Sequence, residues 1–202
     1  MAKASGSTRS SAPGRQQAAT ERGYSEQLER EILGMENLIR RRPDEAVYFF
    51  EENGRMAHWA QGRGAGVENL GATADEELDM INTIATHNHP RALNERGVKR
   101  IGNSFSFADL NSAVRYNLKE IRAVTPTYTF SVKRPASGWG VTQEQLADAY
   151  NEANQEVTAR MQRYVDRVGT VDAERRAETA HFHLVMKSLS KKLGWNYTKK
   201  NS

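Results

Sequence analysis

The sequence predicts an α/β fold that closes with a helical hairpin at its C-terminal end, and three observations predict it. Short β-branched and aromatic runs at 47–50, 83–86 and 127–132 have the length and composition of strands. Around them, apolar residues recur every three or four positions, at Leu28, Ile32, Met35 and Ile39, then at Leu110, Val114 and Leu118. In the last third, Leu146, Tyr150, Ala153, Val157, Met161, Tyr164 and Val168 keep one helical stripe over about six turns.

The elements follow in order. Residues 1–20 are rich in Ser, Ala, Gly and Arg, contain no acid, and lack the apolar area that offsets ordering entropy; a disordered tail over 1–22 is expected. It reads as plain linker or expression remnant before an export signal. Ser25 is a candidate N-cap for a helix that ends at the arginines before Pro43. Only Asp44 then precedes Glu45, so this helix is expected to pack on the sheet near that residue. Val47, Tyr48, Phe49 and Phe50 form a run without polar breaks, as in a strand covered on both faces. Asn53-Gly54 signals a hairpin turn to a partner strand that carries His58.

The glycine-rich stretch 62–66 lacks the Lys-Ser ending of a phosphate loop and reads as a flexible connection. Thr73 starts a short capped helix. After residue 90 comes a basic loop, 91–105, long enough to be functional. Two strands hinged at Pro126 follow. Thr142 and Gln145 have capping-box spacing, with Val141 and Leu146 as the matching staple. Gly169 breaks the long stripe, and a second helix is expected from about 172 to 193. His181 and His183, two apart on a helix, diverge by about 200° and do not chelate together. Trp195 and Tyr197 are expected to dock their rings on the hairpin or on a partner.

Composition narrows the chemistry. The chain has 202 residues, enough for one domain and an appendage, with 38% hydrophobic and 27% charged residues. No apolar run approaches the ~20 residues a membrane span needs, and no secretory signal is visible, so a soluble, cytoplasmic protein without membrane contact is expected. The absence of cysteine excludes disulfides, thiol nucleophiles and thiolate ligands, so any metal must be held by His, Asp or Glu. The net charge of +4 is uneven. Four bases against Glu21 give residues 1–23 a net +3, and five lysines give residues 187–202 a net +5, leaving −4 for the body between. Basic ends are commonly solvated tails, though they can touch nucleic acid.

The chemistry concentrates between residues 82 and 109. The strand at 83–86 runs into His87-Asn88-His89-Pro90. Residues two apart on a strand face one side, so His87 and His89 reach one point, and Pro90 ends the strand. Downstream, Ser106-Phe107-Ala108-Asp109 opens a helix, and its carboxylate can close a third side. Two imidazoles and a carboxylate with one open position form the ligand set of a catalytic zinc. Each part has a plainer reading. The histidines can be satisfied by hydrogen bonds, Ser106 and Asp109 can simply form a capping box, and Glu45 can be a solvated strand edge.

These residues resemble the JAB/JAMM (MPN) metalloprotease family, in which a glutamate on an early strand precedes His-x-His-Pro and Ser-x-x-Asp. The His-Asn-His-Pro form is similar to that of the RadC-like branch, as is the strand-turn-strand headed by Glu45. The resemblance spans about residues 45 to 135. Two features depart from the family's common form: fifteen residues separate Pro90 from Ser106, and 66–80 is short and polar for an intervening helix. The resemblance implies a mixed sheet flanked by helices over 23–135, with 136–202 as a helical hairpin extension ending in a basic tail. It further implies zinc bound by His87, His89 and Asp109, Glu45 as general base and Ser106 as oxyanion donor. The reaction would be cleavage of a peptide or isopeptide bond in a peptide or ubiquitin-like protein. The competing readings are an accessory or nucleic-acid-binding module, phage or mobile-element associated, and a delivered toxin or effector.

Overall fold

The structure, a computed structural model, describes residues 24–62, 73–90 and 104–202. The N-terminal tail, residues 63–66 of the glycine-rich stretch and residues 91–103 of the basic loop lie outside the described residues. The elements are α1 (Glu26–Ile39), β1 (Ala46–Phe50), β2 (Met56–Gln61), α2 (Ala74–Asp79), β3 (Ile84–Asn88), α3 (Phe107–Arg115), β4 (Glu120–Val124), β5 (Tyr128–Lys133), α4 (Gln143–Val168), α5 (Val171–Leu193) and β6 (Asn196–Asn201). They form an α/β fold around one six-stranded mixed sheet in the order β2-β1-β3-β4-β5-β6. Neighbouring strands run antiparallel except β3 and β4, whose connection passes through α3 and brings the chain back to the same edge.

Local chemistry sets the element ends. Ser25 Oγ accepts the Leu28 N–H at 3.2 Å and caps α1. Thr73, Ser106 and Thr142 each begin a helix with a complete capping box. The β1–β2 turn closes through Asn53, whose Oδ1 accepts the Arg55 N–H at 2.8 Å, while Gly54 takes a φ of 88°. Gly169 ends α4 in the left-handed conformation, with φ 64°, and lets the chain reverse into α5.

Alternation along β1 divides the interior. Ala46, Tyr48 and Phe50 meet Leu28, Ile32 and Ile39 of α1 on one face. Val47 and Phe49 join α3, α4 and α5 on the other, in the larger core that holds Phe105, Leu110, Leu146 and Leu189. Each such buried side chain contributes roughly 1.5–3 kcal/mol. Helix α1 therefore lies on the face opposite to that of Val47, and by alternation opposite to Glu45 as well. The short link through Asp44 brings α1 close in sequence to Glu45 yet onto the other side of the sheet. Glu36, not only Met35, occupies the inward stripe of α1, and it is buried.

The C-terminal hairpin belongs to the same core. Leu146, Tyr150, Ala153 and Val157 of α4 and Val185, Met186 and Leu189 of α5 are buried there, with Trp139 and Trp195. Past Val157 the stripe loosens, and Val168 is 43% exposed. The two indoles meet edge to face at 4.8 Å, and Trp195 Nε1 donates to the Trp139 carbonyl at 3.0 Å. The residues read from sequence as a basic tail form β6, paired antiparallel with β5 from Asn196 to Asn201.

Candidate metal centre

Three elements converge at the end of β3. His87 faces the α3 side together with Ala85, and the strand pairing continues past β3 because the His89 N–H donates to the Val124 carbonyl at 2.9 Å. His89 therefore alternates back to the side of His87. The β1–β3 register pairs Val47 with His87, so two residues further on Glu45 stands opposite His89. The Glu45 carbonyl accepts the Gly62 N–H at 2.9 Å, which holds this end of β1 against β2. Asp109 arrives as the third residue of α3, aimed by the cap. The Ser106 N–H donates to Asp109 Oδ2 at 2.6 Å, and the Ser106 hydroxyl donates to the same oxygen at 2.9 Å.

The geometry suits an ion. His87 Nε2 and His89 Nε2 are 2.9 Å apart, His87 Nε2 is 3.3 Å from Asp109 Oδ1, and His89 Nε2 is 3.5 Å from Asp109 Oδ2. Ligands ~2.05 Å from a tetrahedral centre stand about 3.3 Å apart, so each separation is near a tetrahedral edge, the two from Asp109 ending on different oxygens of its carboxylate. Glu45 makes no hydrogen bond or ion pair with this triangle, but its carboxylate is close. One ligand atom from each of Glu45, His87, His89 and Asp109 lies within 4.8 Å of the others, and the four could hold a metal ion. Without one, the 2.9 Å contact requires a proton on one of the two ring nitrogens.

Electrostatics separate the two carboxylates. Burial pushes the Glu45 carboxyl up, Asp109 pushes the same way, and the two imidazoles offset only part of this. Burial would also raise Asp109, but the charges and hydrogen bonds of His87 and His89 outweigh it and hold Asp109 well below the usual carboxylate range. A protonatable acid thus stands beside a firmly ionised one.

All five residues singled out from the sequence, Glu45, His87, His89, Ser106 and Asp109, meet here. Ser106 performs the plainer of its two roles: its hydroxyl also accepts the Asp109 N–H at 3.3 Å, completing the cap. His58 is outside the group of four. His181 and His183 part as their spacing requires, the first to Thr158 Oγ1 at 3.2 Å and the second to the Tyr197 hydroxyl at 2.8 Å.

Three neighbours escaped sequence reasoning. Phe105 is fully buried with its ring 6.1 Å from that of His87. Tyr150 of α4 hydrogen-bonds the Phe107 backbone, and burial together with the nearby Asp109 charge pushes its phenol up to about 12. Asn88 lies between the histidines and is 0% exposed. The only signal for it was an amide inside a run destined for burial.

The fold and site thus define an α/β protein with a histidine–carboxylate cluster at one end of its sheet. Compared with known proteins, the chain matches no family model, no curated protein and no solved structure. Among the described residues, no helix is long and apolar enough to cross a membrane.

Proposed function

We propose that the chain is a zinc-dependent hydrolase that cleaves a peptide or isopeptide bond, of the JAB/JAMM type its motifs resemble. The observation that carries this reading is the triangle of His87, His89 and Asp109 with Glu45 beside it and bonded to none of the three. Several divalent first-row ions accept imidazole and carboxylate donors, and an open tetrahedral set of this kind suits zinc. Zinc held there would supply Lewis acidity that brings the pKa of water down to about 7. Glu45 takes the water's proton and returns it to the leaving amine, and burial, by raising its pKa above the ordinary carboxylate value, strengthens it as a base. Ser106, on turning its hydroxyl from Asp109 to the substrate, donates to the oxyanion, a contact typically worth ~3 kcal/mol of barrier.

The test combines metal and turnover on one preparation of the full chain. Protein purified without chelators is assayed for metal and then offered blocked fluorogenic peptides and ubiquitin-like conjugates. Glu45→Gln should keep zinc and lose roughly 10²–10⁴ in rate, because glutamine cannot accept the proton. Zinc-replete wild type that cleaves none of these amides would sink the hydrolase reading.

A further inference from the structure

Asn88 sits on β3 between two ligand histidines, and alternation turns its side chain to the other face of the sheet. There the amide reaches across to the entrance of β1. Asn88 Oδ1 accepts the Ala46 N–H at 2.8 Å, and Asn88 Nδ2 donates to the Asp44 carbonyl at 3.1 Å. The two bonds end on the peptide units that flank Glu45. The register would set Ala46 opposite the Asn88 backbone, so the side chain takes over where the strand ladder stops.

With the Glu45 carbonyl held by Gly62, the chain is fixed before, at and after Glu45. A carboxamide does this because it carries a donor and an acceptor on one plane. Aspartate lacks the donor, and the shorter serine and threonine cannot span both groups. The side-chain amide of Asn88 makes only these two bonds among the described residues, and a fully buried amide without them would be costly.

We propose that Asn88 is a positioning residue for Glu45: its amide clips the backbone on both sides of that residue and so holds the carboxylate beside the His87, His89 and Asp109 triangle. The proposal rests on the reading of Glu45 as the base, and it assigns Asn88 no contact with substrate.

The experiment uses the zinc-loaded full chain with Asn88→Thr, which keeps strand preference, and Asn88→Ala as the second variant. Zinc affinity, measured by competition with a chromophoric chelator, should stay within about threefold in both, since the ligands are held by β3–β4 pairing and the α3 cap. On a blocked peptide anilide, kcat should fall roughly 10- to 100-fold while KM stays within about twofold, the cost of a base misplaced by ~1 Å. In a Glu45→Gln background the same Asn88→Thr change should cost less than about twofold, because the clip acts through the group already removed. A full repeat of the loss in that background, or unchanged kcat in Asn88→Thr, would overturn the proposal. If wild type cleaves nothing, the hydrolase reading falls by itself, and crystal structures of the zinc-loaded variants decide the clip. A Glu45 carboxylate displaced by ~1 Å or more supports it, and an unmoved one refutes it.

Discussion

Ser104 Oγ and the phenol oxygen of Tyr197 stand 2.8 Å apart, and the same oxygen meets His183 Nδ1 at 2.8 Å. Ser104 is buried two residues before the cap of α3, and Tyr197 belongs to β6, so the last strand is bonded to the approach to the site. Phe105 carries the contact onward, with ring centroids 6.4 Å from Tyr197 and 6.1 Å from His87. Tyr197→Phe leaves the ring packing and strips Ser104 of its partner. The expected loss is about 1–3 kcal/mol, read as a lower denaturation midpoint at unchanged slope. An unmoved midpoint would mean that water replaces the phenol at no cost.

Metal content tests the ligands directly. Elemental analysis should give one zinc per chain, and a His87→Ala, His89→Ala double variant should hold close to none. Zinc retained undiminished in that variant would remove both histidines from the site.

Glu36 gives a pH signature on the opposite face. It is 1% exposed, its Oε1 accepts the Thr86 hydroxyl at 3.2 Å, and burial pushes its carboxyl above 4.5 despite the charge of Arg122. A folded-state pKa above the unfolded one means the folded chain binds this proton more tightly. The associated stability is complete below the unfolded pKa near 4.5 and is lost as pH rises through the raised value. Glu36→Gln keeps the acceptor and removes the charge, so its advantage over wild type should grow across that window. A stability difference independent of pH would show that Glu36 is not ionising there.

Arg122 is the cation on which three acids depend. It pairs with Glu29 at 2.8 Å and Glu120 at 3.0 Å and lies 3.9 Å from Glu36. Glu120 and Glu36 are buried, so Arg122→Ala removes their nearest cation and leaves Glu120 only Lys133 at 3.9 Å. The expected cost is about 3–5 kcal/mol, far above that of a surface pair. Arg122→Met with Glu120→Gln should recover part of it, and a lone Arg122→Ala that unfolds like wild type would refute the network's role.

Much of the site was legible because its signals are local. The His87–His89 alternation and the Ser106–Asp109 cap each depend on residues within three positions of one another, whereas Glu45 was singled out by the resemblance of its strand to the family's. What sequence could not convey depends on partners far along the chain. Asn88 and Ala46 are 42 positions apart, and nothing near either marks the bond. Strand β6 has mostly exposed residues and no apolar alternation, so its Lys199-Lys200 pair reads as part of a tail. Its place comes from the β5 edge and from the buried Trp195 just before it. Glu36 falls on the same helical stripe as Ile32, a position where an acid reads as solvated until the sheet opposite supplies Thr86 and Arg122.

The Ser106 cap carries one more consequence, for the energetics of ion uptake. Asp109 is oriented by its own helix, and both histidines by strand pairing, so the ligand cage is complete before an ion arrives. Loading should then order almost no chain. Calorimetry should give a small heat-capacity change, in contrast to small zinc domains whose folding is their binding. The proton between His87 and His89 gives way to the ion by moving to Nδ1 of the same ring, and the circular dichroism of stripped and loaded protein should stay superimposable.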